Sequence, residues 1–343
     1  MPHAIEVPCI SLRDFDARRL EITEELMNAS TQVGFFTLKD HGISMEQIQD
    51  AFALSESFFA LPDDIKAKTA HNGKNMGWEK NAQIRPSTGA DLKESMMMQF
   101  ARMEGMWPSD DDIPGFRARA EAFMFPVQRL SVKVMECFAD ALGLPTDTFT
   151  EATVDPGVGD SQTSCRFLHY YDLGGKGYDP NRWRCGAHTD FALLTLLFQR
   201  PGEFGLEVCP GREFVGDHDM GNTWVPVEAK EGHIVCNIGD QLMRWSDDRL
   251  KSTFHRVRLP KPDEKKGPRY SIGFFNQARS DTIIQGPGGR YPPITGGEFI
   301  ANAMKRDKLG DAKDVRAASL SADIFVKHAT PFTRPGQLVP VVG

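Results

Sequence analysis

Residues 186–198 read GAHTDFALLTLLF and join a possible metal-binding motif to an apolar run. The run at 192–198 is rich in leucine and has the length of a buried β-strand. On an extended strand, residues i and i+2 project from the same face, so His188 and Asp190 can approach one ion. A His-x-Asp motif is common by chance, so a metal site requires further ligands elsewhere in the chain.

Short runs of strand type follow one another from Ser164 onward, separated by clusters of Gly, Pro and Asp. This spacing favours an antiparallel barrel or jelly roll over alternating βαβ units. We therefore predict an α+β protein, mainly β, with a jelly-roll core and flanking helices. The runs lie at 166–171, 192–198, 206–208, 223–227, 233–238, 252–258 and 269–275.

The first part of the chain is helix-rich, because apolar residues recur there at helical spacing. Ser44 followed by Gln47 predicts a capping box at the start of one helix. Pro126 is expected to kink another helix or to divide it into two. In this part of the chain, helices are predicted at 17–30, 44–60 and 116–142, and a further helix is predicted near the end of the core at 296–305.

Three regions are expected to pack as one structural unit. They are a helix-rich N-terminal region at 1–150, the jelly-roll core at 151–310 and a C-terminal tail at 311–343. Residues 33–38 are an apolar, aromatic strand candidate. Residues 72–90 are polar and punctuated by glycine, which predicts a long loop that could close over a ligand.

Composition and charge restrict the class of protein. Of the 343 residues, 40% are hydrophobic and 25% charged, as in a folded globular protein. A formal net charge of -7 argues against a nucleic-acid-binding surface, which requires concentrated Lys and Arg. With neither a secretory signal nor the roughly 18 apolar residues of a membrane span, we expect a cytoplasmic protein with no membrane partner.

The cysteines are scattered and form no Cys-x-x-Cys pair. This pattern predicts reduced, buried thiols rather than a disulfide framework or a thiolate zinc site. The cysteines are Cys9, Cys137, Cys165, Cys185, Cys209 and Cys236.

His255 is a third candidate ligand, in the β-rich run at 252–258. Two histidines and one carboxylate on one face suit iron(II) and leave coordination positions open for substrate and oxygen. Considered alone, His255 would instead be interpreted as a buried strand histidine bonded to a backbone carbonyl.

Arg269 and Ser271 are predicted to share one face of the next strand. A guanidinium inside a barrel is costly unless it meets an anion, and its planar fork matches a carboxylate, as a dicarboxylate co-substrate would supply. An edge-strand arginine facing water is the alternative for Arg269 alone. Arg184 shares strand parity with His188 and Asp190 and could meet an acidic substrate.

Further segments follow in order along nearly the whole chain. They are IEVPCISL (5–12), VGFFTLKDHGI (33–43), FFALP (58–62), DLKE (91–94), RFLHY (166–170), IGD (238–240) and RYS (269–271), besides the segments around His188 and His255. This series resembles the iron(II)/2-oxoglutarate-dependent dioxygenases of the isopenicillin N synthase-like superfamily, which have a double-stranded β-helix core.

The resemblance implies that His188, Asp190 and His255 ligate iron(II). It also implies that Arg269 and Ser271 bind the distal carboxylate of 2-oxoglutarate.

Tyr170 matches a family tyrosine that lies near the same co-substrate. His41 matches another common residue, which we interpret as part of a fold signature. The chain departs from many relatives at 171–173, where they have prolines, and this bears on the path of the following loop.

In this family, oxidative decarboxylation of 2-oxoglutarate is coupled to the use of dioxygen in attacking a substrate C–H bond. Hydroxylation is the default outcome, and desaturation or ring rearrangement stays open. Phe191, Phe274, Phe275 and the 72–90 loop are expected to wall the site against water. Phe275 also matches a position that often touches substrate in relatives.

Several functions remain open from the sequence. The resemblance favours an enzyme that oxidises a small organic molecule in secondary-metabolite biosynthesis. A nucleobase or small-heterocycle hydroxylase and an oxidase of the same superfamily that dispenses with 2-oxoglutarate are the alternatives. A catalytically silent binding module is a further alternative. Loss of a metal-ligating residue would favour it, but all three candidate ligands are present in the sequence. The oligomeric state and the substrate are undetermined.

Overall fold

Two β-sheets form the centre of the fold. A computed structural model describes residues 6–70, 76–82, 84–85, 89–153, 157–159, 161–174, 182–213 and 223–309. The larger sheet is built from β1 (Cys9–Ser11), β2 (Phe35–Lys39), β3 (Gly77–Lys80), β6 (Lys93–Met98), β7 (Ser164–Tyr170), β9 (Leu194–Gln199), β12 (Ile234–Ile238) and β14 (Arg269–Asn276). The smaller sheet is built from β8 (Cys185–His188), β10 (Leu206–Glu213), β11 (Val225–Pro226) and β13 (Thr253–Val257).

The strand order is that of two antiparallel sheets with crossovers between them. The larger sheet runs β1-β2-β12-β9-β14-β7-β6-β3 and the smaller β11-β10-β13-β8. Only β1 and β2 are parallel among the pairs described in these sheets. Two short ribbons pair β4 (Ile84–Arg85) with β5 (Gly89–Ala90) and β15 (Ile283–Ile284) with β16 (Ile294–Thr295).

Helices cover the outer face of the larger sheet. Contacts join α1 to α4, α2 to α4 and β14, and α4 to β9. The helices are α1 (Phe15–Gln32), α2 (Met45–Phe59), α3 (Asp63–Lys66), α4 (Phe116–Leu142), α5 (Thr148–Ala152), α6 (Asp240–Trp245) and α7 (Gly296–Leu309), with short 3-10 turns at Ala67–Thr69 and Phe100–Arg102. In the described part of the chain, none of them is both long and apolar enough to cross a membrane.

Alternation along the strands divides the apolar residues into two clusters. Between the sheets, Leu168 and Val235 of the larger sheet pack with Val208 and Val257 of the smaller. The opposite face of the larger sheet contributes to a bigger cluster shared with the helices. Because neighbouring residues of a strand face opposite ways, every polar residue on the inner face points between the sheets, where a ligand can be enclosed.

Most of the predicted elements are present at nearly the predicted positions. Ser44 and Gln47 form the expected capping box, with Gln47 N donating to Ser44 Oγ at 3.1 Å and Ser44 N donating to Gln47 Oε1 at 3.0 Å. Pro126 lies inside the single helix α4 and does not divide it. The larger sheet pairs strands of the N-terminal region with strands of the core, as β2 with β12 and β6 with β7.

The sequence reasoning missed strand β6, and the long loop expected at 72–90 is wrong where the structure describes it. β6 reads KESMMM, without the β-branched or aromatic residues that mark strands, and it forms because β3 and β7 pair on either side of it. β3 falls within the expected loop because it is a partly polar edge strand. The tail expected at 311–343 lies outside the described residues.

All six cysteines are free thiols. Five are buried as predicted, but Cys9 is exposed, so the expectation of burial is wrong there. Cys9 begins β1, which is one of the two edge strands of the larger sheet and pairs with β2 alone among the described strands.

Candidate active site

His188, Asp190 and His255 come together between the two sheets. His188 ends β8, and His255 is its Cα partner on β13. The Nε2 atom of each histidine lies 3.7 Å from Oδ1 of Asp190. One ligand atom from each residue lies within 4.8 Å of the others, so this ligand cluster could hold a metal ion.

Asp190 reaches the cluster by a route that the sequence did not predict. We expected His188 and Asp190 on one extended strand, but β8 ends at His188 and β9 begins at Leu194 in the other sheet. Asp190 therefore lies in a crossing segment, and the strand argument is wrong for it. Its orientation is instead set by Thr195 and Asn237, whose side chains donate to Oδ2 at 2.8 and 2.9 Å.

The crossing segment is held against the chain that follows β12. Backbone hydrogen bonds join Asp240 N to Asp190 O at 2.7 Å and Gly239 N to Leu193 O at 3.0 Å. A Cβ atom on Gly239 would overlap the backbone of Ala192. The Ile-Gly-Asp motif thus has a physical role, because only glycine permits this close approach beside the ligand cluster.

Hydrogen bonds also orient the two histidines. His188 Nδ1 lies 2.8 Å from Gly186 O, and His255 Nδ1 lies 3.3 Å from Thr253 O. A carbonyl oxygen only accepts, so each Nδ1 is the donor, and the Nε2 lone pair remains for a metal. The two Nε2 atoms and Oδ1 of Asp190 therefore face one another with lone pairs that a cation can accept.

The electrostatics of the cluster favour the protonation states that a divalent metal requires. Burial, followed by the charge of the nearby His188, lowers the pKa of His255 to about 4. Burial alone would raise the pKa of Asp190, but His255, His188 and its hydrogen bonds outweigh that effect and lower it. At neutral pH the site holds a neutral His255 beside an ionised carboxylate, which is a donor set suited to iron(II).

A second polar site is centred on Arg269. We call it the guanidinium pocket, and it is formed by Arg269 with Tyr170, Arg184, Gln199 and Ser271. Arg269 Nη2 donates to Gln199 Oε1 at 2.6 Å, and Nη1 donates to Ser271 Oγ at 3.4 Å. The guanidinium carbon lies 4.8 Å from the ring centroid of Tyr170, its Cα partner. The Nε of Arg269 and the Nε2 of Gln199 have no hydrogen-bond partner among the described residues. Such unmatched donors fit a bound carboxylate.

Arg184 belongs to this pocket, where the charge of Arg269 acts on it, rather than to a face shared with His188. The register of β8 against β13 shifts between His188 and Cys185, so the parity used to place Arg184 is not preserved. Arg184 is buried, and its Nη2 donates to Gly267 O at 2.8 Å.

The three phenylalanines expected around the site have different positions. Phe275 lies on the inner face, and its ring covers Gly273, where a Cβ would come within 2.9 Å of Phe275 Cζ. Phe191 is partly buried in the crossing segment and packs against the bigger apolar cluster. Phe274 is wholly buried in that cluster, so the expectation that it walls the site is wrong.

Sequence reasoning missed several polar residues on the inner face. Arg166 on β7 is the Cα partner of Gly273, so it shares the face of Arg269 and Ser271. Its Nε donates to Ser95 Oγ at 3.1 Å, and it forms an ion pair with Glu79. The i, i+2 alternation along the strand from Tyr170 back to Arg166 is the sequence signal that could have placed Arg166 on the inner face. The same alternation along β9 places Thr195 and Gln199 on the inner face.

Comparison with known proteins identifies the class. Residues 162–278 match the family model of the 2OG-Fe(II) oxygenase superfamily. Residues 7–112 match the model described as the N-terminal region of the non-haem dioxygenase in morphine synthesis. The chain belongs to the 2OG-Fe(II) oxygenase superfamily.

Similar proteins include fungal enzymes. The 2-oxoglutarate-dependent dioxygenase frbA of a Dothideomycetidae species is 30% identical over 312 residues, which are 82% of this chain and 88% of the relative. The proline hydroxylase buaE of Petromyces alliaceus is 32% identical over 289 residues, 80% of this chain and 86% of the relative. The crystal structure of a full-length Neurospora crassa protein in complex with alpha-KG aligns with a TM-score of 0.77 at 27% identity, covering 89% of this chain and 98% of that chain.

These comparisons confirm the predicted jelly-roll fold and enzyme class. The protein is an iron(II)- and 2-oxoglutarate-dependent dioxygenase, and its reaction uses dioxygen. When bound, iron with 2-oxoglutarate supplies the oxidising power for attack on a C–H bond.

Proposed function

We propose that His188, Asp190 and His255 hold the iron, and that Arg269, Ser271 and Tyr170 hold the distal carboxylate of 2-oxoglutarate. The spacing of the two sites along β9 carries this proposal. Thr195 donates to Asp190 at one end of the strand, and Gln199 accepts from Arg269 at the other.

Four residues of extended strand cover about 13 Å. A five-carbon dicarboxylate can bridge this span with a metal bond at one end and hydrogen bonds at the other. A monocarboxylate of equal length would leave the buried guanidinium of Arg269 without an anion, which is costly. The span along β9 thus supports a co-substrate of this length, and the buried guanidinium of Arg269 supports a second negative charge at its far end.

The substrate side of the barrel combines an aromatic face with a cation. Phe275 covers Gly273, and the neighbouring Arg166 is held between Ser95 and Glu79 at the same level of the sheet. We infer a small substrate with an apolar or flat part against Phe275 and a hydrogen-bond acceptor toward Arg166. Phe191, in the segment next to Asp190, is only partly buried, unlike Phe274, and we infer that its exposed part contributes a further apolar wall.

Hydroxylation of such a molecule in secondary-metabolite biosynthesis is the function we favour. The fungal relatives frbA and buaE, a dioxygenase and a proline hydroxylase by name, support it. A cytoplasmic location stays a prediction from the sequence.

Hydroxylation of a nucleobase or similar heterocycle is the second candidate. The same Neurospora crassa protein in complex with alpha-KG and thymine aligns with a TM-score of 0.75 at 26% identity, covering 94% of this chain and 98% of that chain. In the present chain, the ring of Phe275 could stack on a flat heterocycle, while the guanidinium of Arg166 donates to a ring carbonyl.

A substrate screen with two measured products tests both candidates. The enzyme is loaded with iron(II) and 2-oxoglutarate without oxygen, oxygen is admitted, and succinate and oxidised substrate are measured. The panel contains thymine, uracil, proline, proline-containing dipeptides and small phenolic lactones. We expect one class to stimulate succinate release and to gain a hydroxyl group in equal amount.

The controls separate the remaining alternatives. Substrate oxidation without consumption of 2-oxoglutarate would identify an oxidase that dispenses with the co-substrate. Failure of the protein to bind iron(II) and 2-oxoglutarate would contradict the proposed residue roles.

A further inference from the structure

Arg184 is a second buried guanidinium at the co-substrate end of the barrel. Its exposed fraction is 2%, and that of Arg269 is 1%. The Nη2 atom of Arg184 donates to the carbonyl of Gly267 at 2.8 Å, and Gly267 lies just before Arg269 in the chain. The turn that leads into β14 therefore fixes the two arginines relative to each other.

Among the described residues, the two arginines have no counterion of the kind that other buried cations have. Lys66 pairs with Glu94 at 2.8 Å, and Lys93 pairs with Asp91 at 3.2 Å. No carboxylate in the described part of the chain forms an ion pair with Arg184 or Arg269. The Nε atoms of both arginines are also without a hydrogen-bond partner among those residues. Because burying an unpaired charge is costly, the arrangement indicates an anion that binds to both.

Electrostatic effects agree with this arrangement. Burial, followed by repulsion from Arg269, lowers the pKa of Arg184 to about 10, so Arg184 stays charged at neutral pH. Glu203 is an acidic residue whose charge acts on both arginines, and its carboxylate accepts a hydrogen bond from Tyr270 N at 2.7 Å instead of pairing with either guanidinium. An anion placed between the two guanidinium groups would relieve their repulsion.

We propose that Arg184 and Arg269 together bind the distal carboxylate of 2-oxoglutarate, so that Arg184 selects dicarboxylic over monocarboxylic 2-oxo acids. This inference rests on the proposed role of Arg269. It assigns Arg184 to the co-substrate and replaces the expectation that Arg184 meets an acidic substrate. A carboxylate has enough lone pairs to accept from both guanidinium groups and from Ser271 Oγ.

The test compares two acids that differ only in the distal carboxylate. Binding of 2-oxoglutarate and of 2-oxopentanoate is measured by calorimetry without oxygen, with manganese(II) in place of iron(II). The variants are Arg184→Met, which keeps an unbranched apolar stem but removes the charged guanidinium end, and Arg184→Lys, which keeps the charge. Thermal melting of each variant verifies that it is folded.

In Arg184→Met, we expect the dissociation constant of 2-oxoglutarate to rise about 10- to 100-fold, the size of a lost hydrogen bond to a charged group. The dissociation constant of 2-oxopentanoate should not change, and Arg184→Lys should recover part of the loss. If Arg184 had only a structural role, Arg184→Met would weaken the binding of both acids equally, and that result would overturn the proposal. Unchanged binding of 2-oxoglutarate would overturn it as well.

The wild-type protein separates this inference from the function on which it rests. If wild type binds 2-oxopentanoate as tightly as 2-oxoglutarate, the guanidinium pocket does not bind the distal carboxylate, and the roles of Arg269 and Arg184 fail together. If wild type prefers 2-oxoglutarate and Arg184→Met keeps the full preference, only the role of Arg184 fails.

Discussion

The ligand cluster and the guanidinium pocket lie at opposite ends of β9, and they are completed in different ways. In the ligand cluster, hydrogen bonds within the protein hold the atoms that face away from the metal position: the Nδ1 atoms of both histidines donate to backbone carbonyls, and Asp190 Oδ2 accepts two hydrogen bonds. In the guanidinium pocket, buried donors of Arg184, Gln199 and Arg269 have no partner among the described residues.

The contrast indicates which property of each ligand the protein recognises. The ligand cluster fixes the positions of its donor atoms through internal hydrogen bonds, so it is set for a particular coordination geometry. The guanidinium pocket holds excess positive charge that internal contacts do not balance, so it is set for the charge of its ligand. Substitutions in the two regions should therefore change different measured quantities.

Removal of Asp190 should have the largest effect. Asp190→Ala deletes the only carboxylate of the ligand cluster, and the two remaining imidazoles are insufficient to hold iron(II). We expect substrate-stimulated succinate release to fall by about 1000-fold or more, because metal binding depends on the full set of deprotonated ligands. Iron content and succinate release are measured on the same sample.

Melting of the metal-free protein is the control for Asp190→Ala. The variant should melt somewhat below wild type, because the alanine leaves the buried donors of Thr195 and Asn237 without their acceptor, but it should still unfold in one cooperative transition. Iron-dependent succinate release at the wild-type rate would contradict the assignment of Asp190.

A smaller effect is expected from the residues that orient Asp190. Thr195→Val removes the hydroxyl that donates to Asp190 Oδ2 at 2.8 Å and keeps the shape of the side chain. Loss of such a contact to a metal ligand lowers metal affinity by about 10- to 100-fold. Affinity for iron(II) is measured by competition with a chelator, and Thr195→Ser, which keeps the hydroxyl, is the matched control.

The outcome decides whether the ligand cluster is organised before the metal binds. Equal affinity in Thr195→Val and Thr195→Ser would mean that the metal itself orders Asp190, and the contrast with the guanidinium pocket would disappear.

The two regions also differ in how far the sequence predicts them. The order of His188, Asp190 and His255 along the chain, followed by Arg269 and Ser271, was sufficient to predict which residues meet. It was insufficient to predict how Asp190 is held, because the crossing between sheets and the contacts of Thr195 and Asn237 depend on pairing between strands distant in sequence.

The effect of strand pairing and register on what the sequence can predict is clearest for Arg184 and β6. Alternation predicted a common face for Arg184 and His188, but the register shift in β8 breaks that alternation. β6 was missed because its residues have weak strand preference, and two neighbouring strands impose its conformation. The fold class follows from local patterns, whereas bulges, edges and crossings follow from tertiary pairing.

Ser271→Ala, at the other end of β9, should have the smallest effect. The hydroxyl accepts from Arg269 at 3.4 Å and can donate to the distal carboxylate of 2-oxoglutarate. A single hydrogen bond of this kind contributes about 0.5–1.5 kcal/mol, so we expect KM for 2-oxoglutarate to rise about 2- to 10-fold with kcat unchanged. The affinity for iron(II) should stay at the wild-type value, which is the reverse of the expectation for Thr195→Val. A loss of iron in Ser271→Ala would show that the two ends of β9 act as one site, and the distinction between geometry at one end and charge at the other would be wrong.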